Sequence, residues 1–156
     1  MDKLKHGLIL VSIFIISVFI AIHFEETYRK IIRSLYTSLS NNKISFLLPK
    51  KDFHFPSDRF LISFGLFSVL MFFFIYRQTK KQKIINGILS ILILIISTIF
   101  QCYFDGVLRI AGCTICSDGS LRLPYSNINY DLIFITSLIL ALLPTAITEL
   151  RKFIKK

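Results

Sequence analysis

Four stretches of this chain contain no Asp, Glu, Lys or Arg, and nothing else in the sequence restricts the fold as strongly. They cover residues 7–24 (GLILVSIFIISVFIAIHF), 60–76 (FLISFGLFSVLMFFFIY), 84–104 (IINGILSILILIISTIFQCYF) and 132–148 (LIFITSLILALLPTAIT). At about 1.5 Å of rise per residue each covers roughly 25–32 Å, which matches a hydrocarbon core of about 30 Å. Buried helices of a water-soluble protein would be shorter and would carry a polar stripe. The sequence therefore predicts an all-α integral membrane protein. Four transmembrane helices form one domain over 1–156, joined by outer loops at 25–59 and 105–131. The first run follows Lys3 and Lys5, as a signal peptide would, but no small-residue cleavage site comes after it; it reads as an uncleaved span.

The net charge is +10, yet the apolar runs hold none of it. Segregation of this kind suits loops facing lipid phosphates, whereas a nucleic-acid module would interleave Arg with its aromatics. An even number of spans puts both termini on one side. That side holds ten basic residues in compact groups: Lys3 and Lys5, four in 77–83 (RQTKKQK), and four in 151–156 (RKFIKK). The opposite side holds nine, spread over two longer loops. Compact basic clusters beside span ends resist translocation most, so both termini are expected in the cytoplasm of a bacterial inner membrane. The expected partners are the lipid bilayer and either a second copy or a membrane or extracytoplasmic protein. The basic ends would meet anionic lipid or an acidic cytosolic protein. No nucleic acid is expected.

Both outer loops carry pattern. In the first, Tyr28, Ile31, Leu35 and Tyr36 recur at helical spacing with Arg29, Lys30 and Arg33 mostly elsewhere. This predicts an extracytoplasmic amphipathic helix, beginning near Glu25 and Glu26 and lying on the membrane or over the span ends. Asn41-Asn42 is its expected stop. In the second loop, VLRIAGCTICS, Asp118-Gly119 and SLRLPY read as a small β-hairpin, because Asp-Gly suits the positive φ angles of a type I′ turn. That register sets Cys116 opposite Leu121 and Ile115 opposite Arg122. Asn127, Asn129 and Asp131 are candidate caps for the fourth span. The expected contact surface combines Tyr28, Ile31, Leu35 and Tyr36 with Asp118, Gly119, Arg122 and Tyr125.

Within the third span, Asn86, Ser90, Ser97 and Gln101 fall within roughly 60° of one another at about 100° per residue. They form one polar stripe, the usual glue between membrane helices. Ser63, Gly65 and Ser68 of the second span, with Ser12 and Ser17 of the first, are the small surfaces expected against it. No ionisable residue lies mid-span, which argues against proton pumps, ion-coupled carriers and voltage sensors.

Cys113 and Cys116 form the chain's one C-x-x-C, and Cys102 is the third cysteine. In span number and in that motif the chain resembles four-span thiol oxidases that pass electrons to quinone. Those enzymes relay electrons through a second cysteine pair, and three cysteines cannot supply one. A strand also separates residues i and i+3 by about 10 Å, beyond the roughly 7 Å that a disulfide tolerates between Cα atoms. A possible disulfide instead joins Cys102 to Cys113 or Cys116. No metal-ligand set surrounds His54, and neither G-x-S-x-G, H-E-x-x-H nor a phosphate-binding glycine loop occurs. No catalytic residue and no cofactor is expected. The leading expectation is a non-enzymatic protein acting by protein contact or self-assembly. Its architecture is similar to bacteriocin-immunity proteins and to membrane components of phage defence or exclusion. A quinone-linked thiol-disulfide oxidoreductase using Cys113 and Cys116, and an oligomeric channel, are the alternatives.

Overall fold

The computed structural model describes residues 2–41, 44–47, 56–76, 78–111, 121–124 and 127–154. Four α-helices and two short strands make up this part of the chain: α1 (Asp2–Leu39), β1 (Ile44–Leu47), α2 (Asp58–Tyr76), α3 (Lys80–Ala111), β2 (Leu121–Pro124) and α4 (Tyr130–Ile154). All four helices are long and apolar enough to cross a membrane. Their outward apolar side chains form a belt, with Phe19 65%, Ile96 64% and Ile84 64% exposed. A surface of that kind is a liability in water and the ordinary condition in lipid.

The helices pack in a ring: α1 against α2, α2 against α4, α4 against α3, and α3 against α1. Side-chain pairs fix the directions. Phe60 of α2 stacks on Phe134 of α4 at 3.9 Å, and Met71 meets Thr145 further along, so α2 and α4 run parallel. Gln101 pairs with Thr136 while Asn86 pairs with Thr148, so α3 and α4 run antiparallel. The α1–α2 contact is close at one point. A Cβ added to Gly65 would lie 2.6 Å from Cε2 of Phe14. Gly65→Val is therefore expected to destabilise the bundle by about 1–3 kcal/mol, the usual cost of overpacking. The test is the unfolding midpoint in detergent, and Phe14→Ala in the same chain should restore much of the loss.

Helices α1 and α3 outrun the others. With 38 and 32 residues they extend to about 57 and 48 Å, against a hydrocarbon thickness of about 30 Å. Their charge-free stretches end at Phe24 and Phe104, so residues 25–39 and 105–111 project past the apolar belt at the same end. The expected separate amphipathic helix is thus corrected: it is the continuation of α1. No Gly or Pro stands between Phe24 and Leu39, and nothing else interrupts the backbone ladder. The end of α1 is set where the sequence suggested. Asn41 takes a left-handed backbone (φ 52°), and the Ser40 hydroxyl accepts from Ile44 N at 3.1 Å, turning the chain into β1.

The β-structure differs from expectation. Residues 107–111, expected at the start of a hairpin strand, are the last turns of α3. Arg109 lies one turn beyond Asp105 and its Nε donates to Oδ2 of that carboxylate, which supports continued helix. Residues 112–120, including Asp118 and Gly119, lie outside the described residues. The partner of β2 is β1, in parallel, with Ile44 opposite Leu121, Ser45 opposite Arg122, Phe46 opposite Leu123 and Leu47 opposite Pro124. Ile44 is fully buried and packs with Tyr36 over Gly106 of α3. The buried apolar cluster gathers at this end, around Ala21, Tyr28, Ile32, Tyr36, Phe60, Cys102, Tyr130 and Phe134. The projecting turns of α1 and α3, with β1 and β2, are the head of the molecule; the opposite end is the basic end.

Candidate interaction site

The head rests on a layer of buried charge that ties three helices together. Glu25 of α1 is 3% exposed and Arg29, one turn on, is 9% exposed. Arg29 donates to Oε1 of Glu25 through Nε at 2.9 Å and through Nη2 at 2.6 Å. The other oxygen of Glu25 accepts from the backbone N–H of Ser57 at 3.0 Å. Ser57 is the residue before α2, and its carbonyl accepts the first helical bond, from Leu61. Its hydroxyl donates to Oδ2 of Asp131 in α4 at 2.7 Å. Oδ1 of Asp131 stands 3.9 Å from Nη2 of Arg29, and the guanidinium lies 4.8 Å from the ring centre of Tyr130. One arginine thus faces two carboxylates and an aromatic ring, and one serine links α1 to α4. Asp131 serves here rather than as the cap of α4; the cap is Asn129, whose Oδ1 accepts from Leu132 N at 3.1 Å.

Directly beneath lies an aromatic layer. Phe134 is its centre, with Phe60 at 3.9 Å, Tyr28 at 4.9 Å and Phe64 at 6.1 Å between ring centroids. Above the charge layer, Tyr36 donates its hydroxyl to Asp105 Oδ2 at 2.6 Å, which locks the projecting turns of α1 to those of α3. Between these two helices runs a cleft of roughly 350 Å³, walled by Tyr36, Leu39, Cys102, Tyr103, Val107 and Ile110 among others.

This arrangement redistributes the residues expected to form the contact surface. Tyr28 and Tyr36 are buried in the core at 7% and 1% exposure, so neither is offered to a partner. They point inward because α1 continues unbroken and carries its apolar face along the bundle. Leu35 is half-buried and packs against the core, and Ile31 is exposed. Arg122 sits in β2. Tyr125, Cys113 and Cys116 lie outside the described residues. Cys102 is a free, fully buried thiol, and the expected disulfide from it to Cys113 or Cys116 falls on residues outside those described. Among the described residues no three His, Cys, Asp or Glu side chains converge on a metal-sized space.

The stripe of α3 turns to α4. Asn86 Nδ2 donates to Gln78 Oε1 at 2.9 Å and to Thr148 Oγ1 at 3.1 Å. Gln101 donates through Nε2 to Ser137 at 3.0 Å and accepts at Oε1 from Thr136 at 2.6 Å. Ser90 and Ser97 are buried and small, which lets α4 approach; Ser97 satisfies its hydroxyl on Leu94 O of its own helix. The second span packs on α1 and α4 rather than on this stripe, and Ser17 of the first span is buried. Ser63, Ser68 and Ser12 bond carbonyls of their own helices, and Gly65 meets Phe14. Gln101→Leu is expected to lower stability by about 0.6–1.7 kcal/mol, the range for hydrogen bonds between membrane helices. A double-mutant cycle with Ser137→Ala, read by unfolding in detergent, checks it.

Glu25, Arg29, Ser57 and Asp105 are residues that hydrophobic periodicity does not single out. Their one local signature is acid-to-base spacing of four residues, Glu25 to Arg29 and Asp105 to Arg109. The class this fold defines is a bundle of four membrane-length helices with an ordered head at one end. Comparison with protein-family models, with curated proteins and with solved structures gives no match.

Proposed function

We propose that this is a small multi-pass protein of a bacterial inner membrane that acts by protein contact or self-assembly through its head. Both termini lie in the cytoplasm and the head faces outward. The observation that carries the reading is the pair of projecting helices. Residues 25–39 and 105–111 leave the apolar belt, are locked together by Tyr36 and Asp105, and still present apolar side chains outward. Ile31 is 48% exposed and Leu108 is 55% exposed, with Tyr103, Phe104 and Val107 also exposed. An ordered platform with apolar side chains at the membrane rim suits recognition of another protein or a second copy. Function of this kind fits bacteriocin immunity or a membrane component of phage defence, where a small integral protein works by meeting its target.

Two variants of the full chain test the reading, Ile31→Glu and Leu108→Glu. Each is expected to reach the membrane fraction as the parent does and to lose the assembly seen by light scattering in mild detergent, or the cross-linked adduct formed in cells. Parent protein that is monomeric and gives no adduct from either position ends the contact hypothesis. Sidedness is read separately, with the native cysteines replaced by serine. Asn41→Cys is expected to react with a membrane-impermeant maleimide on intact cells, and Gln82→Cys only after lysis. The reverse pattern would invert the orientation.

A further inference from the structure

The two ends of the molecule handle basic residues differently. The head end, residues 25–59 and 105–131, carries nine basic and seven acidic residues, a net charge of +2. At the basic end, residues 2–6, 77–83 and 149–156 carry ten basic and two acidic residues, a net charge of +8. At the head, Arg29, Lys30 and Arg109 are each paired with a carboxylate one turn away. At the basic end Lys80, Lys81, Lys83 and Arg151 have no carboxylate partner among the described residues. The first turn of α3 contains three lysines and no acid. Within the protein that arrangement is unfavourable, because helix starts prefer negative charge.

The lysines also stand directly above bare apolar surface. Lys80, Ile84 and Ile88 follow at four-residue intervals, and Lys81 and Ile85 repeat the step beside them, so each row lies along one side of α3. Ile84 is 64% exposed, with Ile85 and Ile88 also outward. We propose that the basic end is a binding surface for anionic phospholipid, with the headgroup phosphate held by Lys80, Lys81 and Lys83 and the acyl chains lying along Ile84, Ile85 and Ile88. A free phosphate would use the charge and leave the apolar rows uncovered; an acidic protein would not reach below the lysines. The inference rests only on the membrane-spanning part of the reading above and is independent of what the head binds.

The test uses the full chain reconstituted in phosphatidylcholine bilayers containing spin-labelled phosphatidylglycerol or spin-labelled phosphatidylcholine. Recovery in sealed vesicles establishes insertion first, so failure to insert is distinguished from failure to select lipid. The expected result is a preference for phosphatidylglycerol that falls about fivefold per lysine removed in Lys80→Gln, Lys81→Gln and Lys83→Gln. Arg109→Gln, at the head, should leave the preference intact. In the parent protein the same preference should shrink on raising salt to 0.5 M, a reading that needs no variant. No preference in inserted protein, a preference unmoved by all three substitutions, or full competition by inorganic phosphate or by a poly-glutamate peptide would overturn the proposal.

Discussion

Replacing Arg29 with methionine is expected to destabilise the protein by about 3–5 kcal/mol, the cost of removing one partner from a buried ion pair. Methionine keeps the length and apolar stem of the side chain, so little packing is lost. What remains is a Glu25 carboxylate that is almost fully enclosed and keeps only its bond from Ser57 N. Asp131 keeps only the Ser57 hydroxyl, and its second oxygen, already without a hydrogen bond, loses its nearest positive charge. The double variant Arg29→Met/Glu25→Met should recover most of the loss, because it removes the stranded charge rather than the pair's net contribution. Unfolding midpoints of the parent, both single variants and the double variant in one detergent close the cycle. A single variant within about 0.5 kcal/mol of the parent would mean the layer is solvated and does not hold the helices.

Phe134→Ala carries the second large effect, about 3 kcal/mol. Phe-to-Ala changes in protein cores cost about 3–5 kcal/mol, part of it lost transfer from water and part the cavity left behind. In a bilayer the separated helices are solvated by lipid tails, so the transfer part shrinks and the packing part remains. Phe134 is 2% exposed and contacts rings from two other helices, Tyr28 of α1 across the bundle and Phe60 and Phe64 of α2 beside it. Its loss opens a hole that none of the three can fill without breaking the layer. Phe134→Leu should recover about half the deficit. Phe100→Ala, on the outward side of α3 with Phe100 64% exposed, should cost under 0.5 kcal/mol in the same assay.

The membrane-length helices were legible because lipid imposes a simple rule, about 20 residues without charge, and the sequence obeys it four times. The α3 stripe was legible for a related reason: Asn86, Ser90, Ser97 and Gln101 share a helical face, and periodicity is local. What they face was not legible, since Thr136, Ser137 and Thr148 are ordinary polar residues of another helix. The charge layer escaped for the same cause. Glu25 and Arg29 look like surface residues of an amphipathic turn until Ser57 and Asp131, 32 and 106 residues beyond Glu25, close around them. Reading Glu25 and Glu26 as a new helix start also separated α1 into two pieces, although no residue between Phe24 and Leu39 breaks a helix. The β-structure was the hardest part. A hairpin announces itself in its turn, whereas a parallel pair leaves no local mark on either strand.

That parallel pair sets a timetable for synthesis. Ile44 and its partner Leu121 are 77 residues apart, and α2 and α3 lie between them. At 5–20 residues per second, β1 leaves the ribosome about 4–15 s before β2 exists. Throughout that interval its backbone edge has no partner from its own chain, and under the proposed topology the head closes only after two more helices have crossed. Under that topology, completion of the ladder reports that α2 and α3 have crossed in opposite senses. A chain in which either helix fails to cross would leave β1 on one side of the bilayer and β2 on the other, with the ladder unformed.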